Sequence, residues 1–449
     1  MTRSAAGRRP YGSPGPALCS AEGMTASGTT GSPSGDPAGN GHGNGSEDDE
    51  DDGYVPLRRM TPRRRDEAHR AATPLELFFD LCFVVAVAQA GAQLVHALAE
   101  GHPVSGLAGY WFVFFGVWWA WMNFTWFASA YDCDDVPYRI ATLIQIAGVL
   151  VYAAGVPRAF QDNDWVIAVT GYLIMRLALT TQWLRAGRAE TGEARKVAFT
   201  YAAGVSLCQV AWVALLFAPV GSRHWLFPLV MVAELLVPLF AERHRETPWN
   251  PRHIVERYGL FTLIVLGETM AAATVAVQSA LDEHKAVGEL LPIAAGGLLI
   301  VFSAWWIYFA VPAHERLISN RQALPWGYGH VLIFGSAAAI GAGMEVAVEH
   351  AVGVAHISAL AAGAAVTVPT AVFLLMVWLL HARHFKQGAA QQSTLPLATV
   401  AILLCSFADG WSVLAAGLVS ALTVAVGLTL SRRGGIPVHP SRTDGRRTA

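Results

Sequence analysis

The sequence predicts an all-α protein, a polytopic membrane bundle of about twelve helices. Three observations predict it: the chain is mostly apolar and sparsely charged, apolar stretches of about 20 residues recur along it, and its arginines gather in short clusters between those stretches. Of its 449 residues 53% are hydrophobic and 14% charged, with a mean hydropathy of +0.39. An ordinary globular domain carries about a quarter charged residues, so water is not the solvent this surface is built for.

Taken in order, residues 1–70 read as a disordered cytoplasmic tail. Gly, Ser, Pro and Ala dominate it, the acidic run Glu47–Asp52 follows, and there is no apolar h-region of a signal peptide. Met24 and Met60 are alternative starts. A helix rising 1.5 Å per residue needs about 20 residues to cross a hydrocarbon core of about 30 Å. On that measure six spans fall near 75–98, 107–130, 138–157, 164–184, 198–218 and 224–241. Six more fall near 259–280, 290–312, 328–349, 357–381, 395–408 and 411–430. The eleventh is short enough to be a re-entrant segment. These spans divide into a first six-helix unit, 71–241, and a second, 242–432, with 433–449 as a cytoplasmic C-terminal tail.

Short cytoplasmic loops are enriched in Lys and Arg, which gives an independent check on the parity of the spans. With the N-terminus inside, the inner connections hold Arg58, Arg59, Arg63, Arg64, Arg65, Arg70 and Arg139, then Arg185, Arg188, Arg195 and Lys196, then Arg243, Arg245, Arg252 and Arg257. Arg316, Arg321, Arg383, Lys386, Arg432 and Arg433 complete them, against only Arg158, Arg223 and Lys285 outside. Twenty-one against three places both termini in the cytoplasm and requires an even number of spans. The halves also repeat landmarks: Asp80 and Glu268 are 188 residues apart, and Trp119 and Trp306, each in a tryptophan cluster of the following span, are 187 apart. Six spans have even parity, so a copy enters from the same face, a parallel 6+6 duplication.

A charge at the bilayer centre costs roughly 2.5 to 3.5 kcal/mol on insertion scales, so a retained one marks a functional site by default. Asp80, Arg176, Glu234 and Glu268 all reach similar depth from the nearest loop charges, and are expected to meet in the bundle interior. There Arg176 neutralises one carboxylate and leaves two to take a proton, a cation or a basic group. Glu76, four residues before Asp80, shares its helix face. The alternative is a permanently paired interhelical lock. Gln89, Gln93, His96, Asn123 and Gln145 either line the same route or bond helix to helix. Ala359-xxx-Gly363 and Gly417-xxx-Ala421 read as close-packing seams, and Trp111 and Trp126 as interfacial anchors.

Other classes find little support. The near cancellation of 31 basic and 33 acidic residues leaves no basic face for nucleic acid. The five cysteines form no CxxC pair, His381 and His384 lack a third ligand in register, and no HExxH, GxSxG or phosphate loop occurs. No catalytic residue, metal ligand or cofactor is therefore assigned.

The stretch Thr73–Leu81 (TPLELFFDL), continuing as CFVVAVAQ, resembles the signature of the bacterial low temperature requirement protein A family. So does His253–Phe261 (HIVERYGLF), followed by TLIVLGE to Glu268. The resemblance covers roughly 73–430, with Cys82 where a plain aliphatic residue is expected. It implies a multi-span bacterial inner-membrane protein whose family name records a requirement for growth in the cold. It also places Glu76, Phe79, Asp80, Glu256, Arg257, Gly267 and Glu268 inside family motifs. The expected function is a secondary transporter or permeation protein using Asp80 and Glu268 as its carboxylate pair, with the lipid bilayer and an unknown small molecule or ion as partners. The rival readings are an intramembrane enzyme acting on a lipid or isoprenoid, and a non-transporting sensor or scaffold.

Overall fold

The computed structural model describes residues 57–433, apart from 66, 68, 69, 283–286 and 387. Its helices run α1 Pro74–Ala99, α2 Pro103–Tyr131, α3 Val136–Gln161, α4 Val166–Ala189, α5 Gly192–Leu216 and α6 Val220–Ala241. The second set is α7 Pro251–Asp282, α8 Val287–Tyr308, α9 Asn320–Ala351, α10 Ala359–Leu380, α11 Ala389–Leu404 and α12 Ser412–Arg433. No strand occurs among the described residues. Among the described residues ten helices are long and apolar enough to cross a membrane. Of the other two, α6 contributes the shorter apolar stretch Trp225–Ala241. α2 draws its apolarity from aromatic rings and is the interior helix, with 19 of its 29 residues buried.

Helix starts follow from local chemistry. Thr73 Oγ1 accepts from the Glu76 amide while Glu76 Oε2 accepts from the Thr73 amide, a reciprocal cap that precedes Pro74 in the first turn. Asn250 performs the same service before Pro251, its Oδ1 accepting from the amides of Arg252 and His253. Asp135 caps α3 through the Tyr138 amide.

In the first half α1 packs on α2 and α3, α3 on α4, α4 on α5 and α5 on α6; the second half repeats that order from α7 to α12. The tightest crossings use glycine. A side chain at Gly171 would run into the Tyr152 backbone across the α3–α4 crossing, and one at Gly343 into the backbone of Ala365 and Val366 across α9–α10. Gly417 meets Gly296 across α8–α12 in the same way, so the small-residue seam expected there is real. Gly363 abuts Ser412.

Three expectations change. The tail assigned to 1–70 ends earlier: part of 57–70 packs on the bundle, with Met60 buried, the Arg58 amide on Asp135 and Arg70 inside. Residues 1–56 lie outside the described ones. The eleventh helix is longer than expected; with a closing 3₁₀ turn it spans Ala389–Phe407, 19 residues, and qualifies as a crossing. Helix α7 begins at Pro251 rather than 259, because Asn250 and Pro251 start it two turns before the apolar run. Arg257, counted as a loop charge, therefore sits inside the helix.

Candidate functional site

Two separate buried charge clusters occupy the bundle, and the central helix α2 touches both. The first joins α1 to α7. Glu76 and Asp80 lie at i, i+4 on one face of α1, and His253 and Arg257 at i, i+4 on the facing side of α7. Arg257 donates through Nη2 to Asp80 Oδ1 at 2.6 Å and through Nε to Asp80 Oδ2 at 3.2 Å. Its Nη1 stands 3.0 Å from Glu76 Oε1. His253 Nε2 lies 3.2 Å from the same Glu76 oxygen, and Trp121 Nε1 donates to Asp80 Oδ1 at 2.7 Å. Arg70 adds an ion pair to Glu76 at 3.7 Å and one to Asp132 at 3.6 Å. It also donates to the carbonyl oxygens of Ala128 and Ser129. Glu76, Asp80, His253 and Arg257 are each fully buried.

The second cluster joins α2, α4, α5 and α6 around Glu234, which is also fully buried. Its Oε2 accepts from Arg176 Nη2 at 2.9 Å and Trp119 Nε1 at 2.9 Å. Its Oε1 accepts from the Tyr172 hydroxyl at 3.1 Å, Gln209 Nε2 at 3.1 Å and Trp212 Nε1 at 3.2 Å. Helical spacing supplies the set: Tyr172 and Arg176 are four apart on α4, Gln209 and Trp212 three apart on α5. Asn123 Oδ1 accepts a longer bond from Arg176 Nη2 at 3.4 Å, and its own amide is held by the Trp119 carbonyl at 2.8 Å. At 1.5 Å per residue, Arg176 stands about 15 Å and Glu234 about 21 Å along their helices, near mid-depth.

Two cavities of about 30 Å³ each flank this pair. One lies toward the end of the bundle that carries the start of α1 and the end of α12; Trp119, Asn123, Tyr201, Glu242 and Thr247 are among its lining. The other lies toward the opposite end, against Phe115, Tyr152, Tyr172, Trp212 and Phe227. Each has room for a water molecule or two. The residues that bond Glu234 and Arg176 thus form walls of both cavities.

The sequence expected Asp80, Arg176, Glu234 and Glu268 to meet. The structure brings Arg176 to Glu234 and Asp80 to Arg257, and leaves Glu268 apart, half-buried, with no hydrogen bond or ion pair among the described residues. Depth explains it. Asp80 lies about 9 Å up α1 and Glu268 about 26 Å up α7 from the same end of the bundle, so the two cannot pair. Gly267 is exposed with open space around it, and Glu256 is exposed, accepting from the Ala72 amide at 3.2 Å. Phe79 is buried, stacked on Phe83 and Phe124.

Among the lesser candidates, Gln145 bonds Gln182 and Gln93 bonds Gln161, both helix to helix. Trp126 turns inward to the Tyr258 hydroxyl, whereas Trp111 is exposed. His381 faces His330 on α9, with Nε2 atoms 3.3 Å apart, and not His384. A cavity of about 550 Å³ at the far end is lined by His96, Glu100, Glu345, Glu349 and His356. No group of three His, Cys, Asp or Glu residues among those described is placed to hold a metal ion.

Sequence reasoning missed the neutral donors. Trp119 registered only as a repeat landmark and Trp121 only as an unnamed member of its tryptophan cluster, although their two-residue spacing turns one toward Glu234 and the other toward Asp80.

Comparison with known proteins gives two findings. The family model described as bacterial low temperature requirement A protein (LtrA) matches residues 71–431. An uncharacterized protein of Rhizobium meliloti (strain 1021) is 25% identical over 304 residues, which is 64% of this chain and 72% of that protein.

Proposed function

From the premise that this chain belongs to the bacterial low temperature requirement A family, we propose that it is a secondary transporter of the bacterial inner membrane whose working carboxylate is Glu234. The observation that carries the reading is the position of the Arg176–Glu234 pair. It is the charge centre at mid-depth that stands between cavities on its two sides, and its own hydrogen-bond partners wall them. A buried ion pair adds little stability over an apolar pair of similar volume, so its retention between two cavities favours a role in turnover. The α1–α7 cluster supports a different role. Asp80 and Glu76 are paired with Arg257, His253, Trp121 and Arg70, and none of these partners lines either cavity, which fits the interhelical lock. The clustering of basic residues at the end carrying both tails favours a cytoplasmic location for that end.

The test uses purified protein in sealed vesicles loaded with a pH-sensitive dye and challenged with a panel of solute gradients. Wild type should move protons with at least one solute. The neutral pair Arg176→Gln/Glu234→Gln should fold and fail to do so; Glu234→Gln alone, which strands the buried Arg176, should melt lower and fail as well. Undiminished solute-driven proton movement by Glu234→Gln would remove the proposal.

A further inference from the structure

The two members of the central pair are unequally satisfied, and the inequality identifies a ligand. Glu234 is complete: five donors reach its two oxygens, and four of them are uncharged. Arg176 is not. It is 1% exposed, yet its Nε and Nη1 have no hydrogen-bond partner; only Nη2 is engaged, by Glu234 and Asn123. A third atom beside the pair is also unsatisfied. Gln209 donates its Nε2 to Glu234 Oε1, while its own buried Oε1 has no partner. Buried polar atoms in native proteins are nearly always paired, and three unpartnered ones lie around this one ion pair; the α1–α7 cluster has others, among them Glu76 Oε1 and Arg257 Nη1, which stand 3.0 Å apart.

Resting on the proposed transporter reading, we propose that the Arg176–Glu234 centre binds a small monovalent anion together with one proton, and carries the two as an electroneutral unit. The orphaned N–H groups belong to a cation, and the acceptor that completes a cationic donor most strongly is one with negative charge. An anion alone would leave the low-dielectric centre with one uncompensated charge, which is unfavourable. A proton on Glu234 removes that excess. The centre is neutral before loading, with Arg176 positive and Glu234 negative, and neutral after it, with Arg176 positive, the anion negative and Glu234 protonated. Protonation also uses the third vacancy. A carboxyl O–H at Glu234 Oε1 needs an acceptor where the ionised group needed none, and half a turn of the Gln209 amide presents its unpaired oxygen there. Trp119, Tyr172 and Trp212 continue to donate. Released from the salt bridge, Arg176 keeps Asn123 through Nη2 and turns its remaining N–H groups to the anion.

A cation would fit worse, because it would compete with Arg176 for Glu234 and leave the guanidinium stranded. The two cavities, with room for a water or two each, admit only small solutes in this conformation. Nitrate, the anion of a strong acid, is a suitable probe because it does not cross lipid as a neutral acid.

The experiment places the full chain in vesicles with a pH-sensitive dye inside and the membrane potential clamped by potassium and valinomycin. An inward nitrate gradient should acidify the lumen of wild-type vesicles at a rate that does not change with the clamped potential. A gluconate gradient should not. In detergent, nitrate should raise the melting temperature, and its affinity should strengthen roughly tenfold for each pH unit lowered while one proton is taken up with it. Glu234→Gln should bind nitrate without that pH dependence and acidify nothing, and Arg176→Gln/Glu234→Gln should fold and bind none. If wild type shows neither acidification nor stabilisation by nitrate from pH 5 to 8, while another solute still moves protons in a Glu234-dependent way, the anion assignment fails and the transporter reading stands. If no solute moves protons through Glu234, both fail. Equal stabilisation of wild type and the double variant would mark nitrate binding as adventitious and overturn the assignment.

Discussion

Asp132 and Asp135, three residues apart in the α2–α3 connection, are driven in opposite directions by their surroundings. Burial, and then the nearby charge of Glu76, push the Asp132 carboxyl up to about 6, against the pull of Arg70 and Arg63. Burial acts on Asp135 as well, but hydrogen bonds from Arg185 and from the amides of Arg58 and Tyr138 outweigh it and bring that carboxyl down to about 2. The consequences for stability have opposite signs. Asp135 stabilises the fold above the unfolded value near 3.9, and that contribution is lost as pH falls toward 2. Asp132 holds its proton more tightly folded than unfolded, so its contribution is fully present below about 3.9 and is lost as pH rises through 6, to the extent of about 3 kcal/mol. Asp132→Asn should therefore flatten the decline in melting temperature between pH 4 and 6 while leaving the acid limb below pH 4 in place. A decline that persists in the variant would show that another group is responsible. Neither aspartate was legible as special in the sequence, because an acid in a short connection reads as a solvated one. The intramembrane charges Asp80, Arg176, Glu234 and Glu268 were legible, because each costs free energy in an apolar run.

At the level of elements, α1 and α7 are fastened by a bond whose parts do not survive singly. Asp80→Asn keeps the shape of the side chain and takes from Arg257, which is fully buried, the nearer of its two carboxylates, leaving Glu76. Removal of the sole partner from a truly buried pair costs about 3 to 5 kcal/mol; with Glu76 retained the loss should be smaller, yet this variant should still melt clearly lower in detergent. Glu268→Gln provides the contrast. Half-buried and without a partner among the described residues, Glu268 should be replaceable within about 0.5 kcal/mol. Equal melting temperatures for the two variants would refute the lock. The sequence pointed the other way because it located α7 by its apolar run. Periodicity and hydropathy reveal twelve apolar segments, whereas the true start of α7 depends on an asparagine cap and a proline, eight residues earlier. Once Arg257 enters the helix it becomes the partner of Asp80, and Glu268, left at a different depth, has no partner among the described residues.

For the whole molecule, the same shift in the start of α7 changes the register of the internal repeat and strengthens the case for it. Both halves open with a capping residue and proline, Thr73-Pro74 and Asn250-Pro251, and the pairs Glu76–His253 and Asp80–Arg257 are each separated by 177 residues. Equivalent positions thus face each other, acid on one helix and base on the other, as expected of two like units around an axis along the membrane normal. The register of 187 seen at Trp119 and Trp306 belongs to α2 and α8; much of the difference arises because α7, at 32 residues, is longer than α1, at 26. With neighbouring helices packed in matching order, apart from an extensive α8–α12 contact without a comparable α2–α6 one, we propose a parallel duplication, and it can be tested by labelling. Single cysteines are placed on a cysteine-free background at four exposed positions: Thr191 and Arg383, which precede α5 and α11, and Asp162 and Val354, which precede α4 and α10. A parallel repeat with cytoplasmic termini requires that an impermeant maleimide added to intact cells label positions 162 and 354, and that 191 and 383 react only after the membrane is opened. Reaction of 191 and 383 alone would reverse the orientation and keep the duplication, since equivalent loops would still share a face. Reaction of 191 with 354, or of 162 with 383, would place equivalent loops on opposite faces, which a parallel repeat of six-helix units cannot do, and the proposed duplication would be lost.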